Sequence, residues 1–236
     1  MKFAQALIPG NLIKRYKRFL ADIELDDGRV ITAHTPNTGS MLGCCDPGSR
    51  VWLSDSGNPE RKYPLSWELV EAAPGILVGI NTGLPNKLVE EGIRNGVIRE
   101  LQGYDGMRRE VRYGAENSRI DLLLEDAAKP ACYVEVKNVT LAQDGTGYFP
   151  DAVSTRGTKH LRELAEVVAA GKRGIILFCV QRKDVSEVRP ADTIDRKYGH
   201  TLRQVIDAGV EAIAWRADVT PEEIRLDKGL PVRVTP

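Results

Sequence analysis

Residues 133–137 read YVEVK, an acid and an ammonium two positions apart inside a run of β-formers. Side chains alternate along a strand, so Tyr133, Glu135 and Lys137 share one face while Cys132, Val134 and Val136 take the other. The second face is apolar and suits a core. The first carries opposite charges roughly 7 Å apart by the strand rise. That is either a surface ion pair on an edge strand or half of a metal site, and residues upstream bear on the choice. In RIDLLLED, alternation puts Ile120, Leu122 and Leu124 on one face and Asp121 on the other with Leu123 and Glu125. If the two strands pair as a hairpin, Asp121 and Glu135 lie side by side. Two carboxylates at one point repel unless a cation sits between them, and Mg²⁺ or Mn²⁺ does that while keeping several waters. The backbone carbonyl of Val136 is a further ligand within reach. Lys137 is then placed to orient or deprotonate a water attacking a phosphodiester, and to offset the charge that develops.

Other residues invite chemistry less strongly. Asn11 to Phe19 reads NLIKRYKRF, where Lys14, Arg15, Lys17 and Arg18 surround Tyr16. Cations attract phosphates and aromatics stack on bases, so the run suits a nucleic-acid surface; a charged edge strand with one core aromatic accounts for it equally. Lys159 and His160 open a helix after GYFPDAVSTRG, where free N–H groups favour phosphate, although capping and solvent exposure explain them too. His34, in HTPNTG, has no partner at a metal-ligand spacing and reads as structural. TPNTGSMLG lacks the Lys-Ser/Thr ending of a phosphate-binding loop and reads as a connection between strands. Glu110 and Glu116 are acids near the candidate strands with a solvent-facing default.

The first 80 residues read as β. RFLADIEL, RVITAH, VWLS, YPLSWELV and ILVGI are short strands separated by Gly, Pro, Asn and Ser, and an OB-like barrel suits that count. The character changes near Asn81, so the expected division is a barrel over 1–80 and an α/β domain over 81–236. LPNKLVEEGIRNG has a proline suited to a first helical turn and stops at Gly96. Three strands follow, then HLRELAEVVAAG with Leu161, Leu164, Ala165 and Val168 at helical spacing. GIILFCV, TLRQVIDAG and VEAIAW complete an α-β-β-β-α-β-α-β order with a mixed sheet. The chain has 236 residues, 42% hydrophobic and 28% charged, with zero formal net charge, so any nucleic-acid surface has to be local. Cys44, Cys45, Cys132 and Cys179 show no zinc-site spacing and read as reduced thiols of a cytoplasmic protein. No apolar run is long enough to span a membrane.

The spacing D-(13 residues)-E-x-K, between strands and after a helix, resembles the PD-(D/E)xK nuclease superfamily. That superfamily often draws another acid from the preceding helix, which points to Glu90 or Glu91; Glu91 is the one assigned to the metal. More specifically, RYKRFLADIEL, HTPNTGSMLG, GAENSRIDLLL, YVEVKNVTL and GYFPDAVSTRGTKHLREL resemble the sugar fermentation stimulation protein A family. The resemblance implies an OB-like domain, a nuclease-like domain, DNA binding, and a role in regulating sugar use, particularly maltose. With Asp121, Glu135 and Lys137 all intact, the expectation is a DNA-binding protein with a Mg²⁺-capable site; the alternative is an active nuclease acting on DNA or RNA. The expected partner is DNA, single- or double-stranded, bound with little sequence specificity. Self-association into a homo-oligomer is also compatible with this reading.

Overall fold

Five strands between Ile8 and Ala73 wrap into a closed barrel in the computed structural model, which describes residues 1–114 and 118–235. Glu116 therefore lies outside the described residues. The strands are β1 (Ile8–Tyr16), β2 (Leu20–Leu25), β3 (Val30–His34), β4 (Arg50–Asp55) and β5 (Leu65–Ala73). They run in the order β3-β2-β1-β4-β5, and His34 pairs with Ser66 to join β3 to β5. Closure removes the open edges that an isolated sheet of this size would expose. Leu12, Ile23, Val51, Leu53, Trp67 and Val70 fill the interior. Trp67 is fully buried, and its indole N–H donates to the carbonyl of Leu69 at 2.8 Å, so no donor is left stranded.

The barrel departs from the sequence expectation at its first strand. Pro9 and Gly10 disguise β1 as a turn, yet Gly10 is what permits it. A Cβ there would lie 2.7 Å from both the carbonyl of Glu24 and the side chain of Ile23, so only glycine lets β1 cross β2 this closely. The strand read from ILVGI is β6 (Ile76–Gly79), which pairs with β5 beyond the barrel and leads into the second half.

That half starts with α1 (Pro85–Arg94), which has proline in its first turn and ends before Gly96 at φ +72°. A single 3₁₀ turn follows, then β7 (Gly106–Tyr113), β8 (Ser118–Asp126) and β9 (Lys129–Val139). Next come β10 (Leu141–Gln143), β11 (Thr146–Phe149), α2 (Thr155–Ala169), β12 (Arg173–Val180), β13 (Glu187–Pro190), α3 (Arg196–Asp207), β14 (Glu211–Val219) and β15 (Ile224–Leu230). Six strands form one sheet ordered β15-β14-β12-β9-β8-β7. The pairs β9–β12 and β12–β14 are parallel and the others antiparallel, so the sheet is mixed as expected. Leu88 and Val89 of α1 pack on one face with Leu122, Val134 and Val136. Leu161 and Leu164 of α2 and Leu202 and Val205 of α3 pack on the other with Ile176 and Phe178. The small sheet β10-β11-β13 and the last strand β15 were not expected; their short, polar-interrupted runs carry little periodicity.

The two halves are stitched by backbone and side chain. Gly79 N–H donates to the carbonyl of Gln181 at 2.9 Å, and Ser40 Oγ donates to the carbonyl of Asp151 at 2.6 Å. No helix is long and apolar enough to cross a membrane among the described residues.

Candidate active site

The ladder between β8 and β9 runs to Leu122 opposite Val134 and stops. Just beyond, Val136 N–H donates to Asp121 Oδ2 at 2.7 Å, so a carboxylate takes a strand amide. On the other side of β8, regular pairing with β7 skips the position opposite Asp121, where Glu110 has φ +51°. This local break corrects one expectation. Leu122 and Leu124 pack into the α1 core, but Ile120 packs into the opposite one, because alternation is interrupted at Asp121.

Asp121 and Glu135 come together as the hairpin reading required. Asn86 Nδ2, from the first turn of α1, donates to Asp121 Oδ1 at 2.8 Å. Burial and the neighbouring Glu135 push the Asp121 carboxyl up to about 6, against the donors from Val136 and Asn86. Glu135 is 3% exposed. Its Oε1 accepts from Lys137 Nζ at 2.6 Å and makes a short contact with His160 Nδ1. Burial raises the Glu135 carboxyl, but the bonds from His160 and Lys137 outweigh it and hold it below the usual range. Arg156 Nε donates to His160 Nε2 at 3.4 Å. A guanidinium has no acceptor, so His160 Nε2 is the accepting nitrogen and Nδ1–H points at Glu135. Glu135 Oε2 is buried with no hydrogen-bond partner.

An acceptor buried beside a second carboxylate is what a hard cation would satisfy. Among the described residues no group of three or more His, Cys, Asp or Glu is set to enclose a metal. Two carboxylates fit Mg²⁺ or Mn²⁺, which retain water, better than they fit zinc.

Lys137, 12% exposed at its side chain, lines a cavity of about 300 Å³ with Asp121, Glu135 and Val136. Asn37, Thr38 and Gly39 reach the same cavity from the barrel. Arg15 fastens this loop. Its Nη2 donates to the carbonyls of Asn37 and Gly39 at 2.9 Å each and of Arg18 at 2.8 Å. Asp151 Oδ2 accepts from Ser40 Oγ and Met41 N–H, both at 3.0 Å.

The remaining sequence candidates separate into groups. Glu91 does not join the carboxylates: its Oε2 accepts from the Met1 amino group at 2.6 Å, on a part of α1 away from the cavity. Glu90 pairs with Arg94 at 2.9 Å and with Arg109. Lys14 and Tyr16 turn back to Asp22, at 3.5 Å and 2.9 Å, and so serve the β1–β2 hairpin. Lys17 and Arg18 form its turn, both with positive φ. His160 is buried at the site, whereas Lys159 is half-buried and lines an adjoining cavity with Arg119 and Arg156. Asn86 and the 37–39 loop were missed because each meets the site only through residues far away in the chain, and Arg156 was missed because its partner His160 was itself read as facing solvent.

A closed OB barrel followed by an α/β domain with a mixed sheet, and an acid, acid, lysine cleft, defines the class of protein. A family model described as the sugar fermentation stimulation protein RE domain matches residues 83–223, and one described as the SfsA N-terminal OB domain matches residues 13–80. The chain belongs to the sugar fermentation stimulation protein family. It is 62% identical over 232 residues to the homolog from Geobacter sulfurreducens, covering 98% of each chain. It is 56% identical over 234 residues to the homolog from Shewanella sp. (strain MR-4), covering 99% of this chain and all of that one. The solved structure of Pyrococcus furiosus SfsA in complex with Ca²⁺ matches with a TM-score of 0.89 and 28% identity, covering 99% of this chain and 98% of that one.

Proposed function

We propose that this protein binds nucleic acid, DNA in the first instance, and hydrolyses its phosphodiester bonds with a divalent cation at Asp121 and Glu135. The observation that carries the reading is Glu135: nearly fully buried, held ionised by Lys137 and His160, and left with one unpartnered oxygen beside a second carboxylate. Asp121 and Glu135 would hold Mg²⁺ or Mn²⁺, with the Val136 carbonyl in reach as a third oxygen. That Pyrococcus furiosus SfsA was solved in complex with Ca²⁺ supports a hard-cation preference. When bound, the cation supplies charge neutralisation at phosphate oxygens and acidifies water. Lys137 holds its ammonium where negative charge grows on the phosphate, and His160 with Arg156 keeps Glu135 in one orientation. Asn86 and Val136 N–H do the same for Asp121.

The reading includes the family's link to sugar use. Acting on DNA, such a protein could alter expression of sugar genes, maltose genes included, by binding alone. Four free cysteines, three of them buried, support a cytoplasmic setting for that role. The test incubates the pure protein with single-stranded, duplex and branched DNA and with RNA, in Mg²⁺, Mn²⁺ or chelator. Cleavage that needs the metal and disappears in Asp121→Asn supports hydrolysis. Binding without any cleavage across the panel leaves the regulator and removes the nuclease.

A further inference from the structure

A groove of about 500 Å³ runs on from the candidate active site and shares Thr38, Gly39, Phe149 and Asp151 with it. Its two walls have different chemistry. The barrel wall offers Arg15 and Arg18, whereas the Phe149–Ser154 segment offers the apolar surface of Pro150 and Val153 and one carboxylate, Asp151, which is occupied by Ser40 and Met41. Val153 is 72% exposed, and Phe19, next in the chain after Arg18 and outside the groove lining, is 46% exposed. Among the described residues no carboxylate pairs with Lys17 or Arg18. Unpaired cations beside exposed apolar and aromatic groups match the two chemistries of an unstacked nucleotide, a phosphate and a base face. A duplex hides its base faces in the stack and offers mainly phosphates outward.

The depth of the neighbouring site points the same way. Glu135 and Lys137 are almost wholly enclosed, and the barrel loop is pinned over them. A phosphate must enter a pocket to reach them. Duplex phosphates sit on a convex, stiff cylinder with a persistence length of about 150 base pairs, whereas a single strand bends freely.

We infer that the groove between Arg18 and the Phe149–Ser154 segment, with Phe19 exposed beside it in the same turn, is a subsite for an unpaired nucleotide, and that the protein selects single-stranded over duplex nucleic acid. This names the substrate class of the proposed site and rests on that reading.

The test measures fluorescence anisotropy of a labelled thymidine oligonucleotide and of a duplex of equal length, with the full chain in chelator. The wild type should bind the single strand at least about tenfold more tightly. Phe19→Ala and Arg18→Ala should each weaken single-strand binding by about 5- to 10-fold and leave duplex binding unchanged, the range expected for losing one stacked base or one phosphate contact. Irradiating a bromouracil-substituted strand on the wild type should crosslink it to peptides 17–19 or 149–154. Equal affinity for both probes, variants that shift both equally, or crosslinks confined elsewhere would overturn the subsite. Failure to bind either probe would remove nucleic acid altogether. Because no metal is present, a strand-selective wild type that later proves unable to cut would sink the proposed hydrolysis and leave the subsite standing.

Discussion

Asp121 is costly to ionise without a cation, and the sign of its effect on stability follows. Its folded pKa, about 6, lies above the ordinary value of 3.8, so the fold favours the protonated form. That contribution is complete below about pH 4 and is lost as the pH rises through about 6. The loss is on the order of 3 kcal/mol for a shift of this size at a largely buried group. Urea unfolding in chelator should therefore show the wild type losing stability between pH 4 and pH 7, and Asp121→Asn losing distinctly less. Calorimetry at pH 7.5 should show Mg²⁺ or Mn²⁺ binding that the same variant abolishes. Lys137 is tested differently. Lys137→Ala should lower single-turnover cleavage by about 10²- to 10⁴-fold while changing DNA affinity little, because affinity is spread over many phosphate contacts. Equal rates in mutant and wild type would reduce Lys137 to an ion-pair partner. Asp121, Glu135 and Lys137 were legible because strand alternation and a short connection are local. Asn86 was not, since its role depends on where α1 lands. Glu91 looked as eligible as Glu90 until the fold set it against the Met1 amino group.

The elements that carry the site are held by few bonds. Ser154 caps α2 by accepting from Gly157 N–H at 3.0 Å. Asp195 caps α3 through Tyr198 N–H at 2.9 Å, and its other oxygen accepts from Ser154 N–H at 2.8 Å. One carboxylate thus ties the starts of both helices, and α2 delivers Arg156 and His160 to Glu135. Ser154→Ala should cost about 1 kcal/mol in urea unfolding. Asp195→Ala should cost more, since it strips a cap and strands a second N–H. A pair of equal, negligible losses would show that packing alone positions α2. The helices were readable from apolar spacing and glycine stops. β1 was not, because its glycine is explained only by the strand that crosses it, and the three short strands β10, β11 and β13 lack enough residues to show a period.

Across the molecule, the barrel contributes more than a neighbouring domain would. Arg15 was grouped in the sequence with the basic surface, but its guanidinium is spent on the carbonyls of Asn37 and Gly39, which line the cleft, and of Arg18 in its own turn. Arg15→Ala should lower stability by about 3 kcal/mol, in the range for losing charged hydrogen bonds, and slow any cleavage with metal binding retained. Lys17 and Arg18 are the cations left for a ligand. Replacing both with Ala should weaken single-strand binding and flatten its dependence on salt, because fewer counterions are released. A double variant with unchanged affinity and salt slope would take the turn out of the interface. Such a division of labour within KRYKR is invisible to composition, because adjacent cations differ only in what the loop opposite them needs.

The large sheet ends at β15 on one side and at β7 on the other, and the outer side of β7 is unpaired among the described residues. Its sequence, GMRREVRY, sets Arg108, Arg109, Glu110 and Arg112 along that margin, and Arg108 is matched to Glu125 at 2.7 Å. The charges oppose addition of another strand, and the left-handed kink at Glu110 spoils the flat template such addition needs. Resistance to self-templated pairing at this margin is therefore concentrated in these few residues. Arg109→Val with Arg112→Val should leave the cleft assembled, yet light scattering at high concentration should reveal assemblies that bind an amyloid dye, where the wild type stays clear.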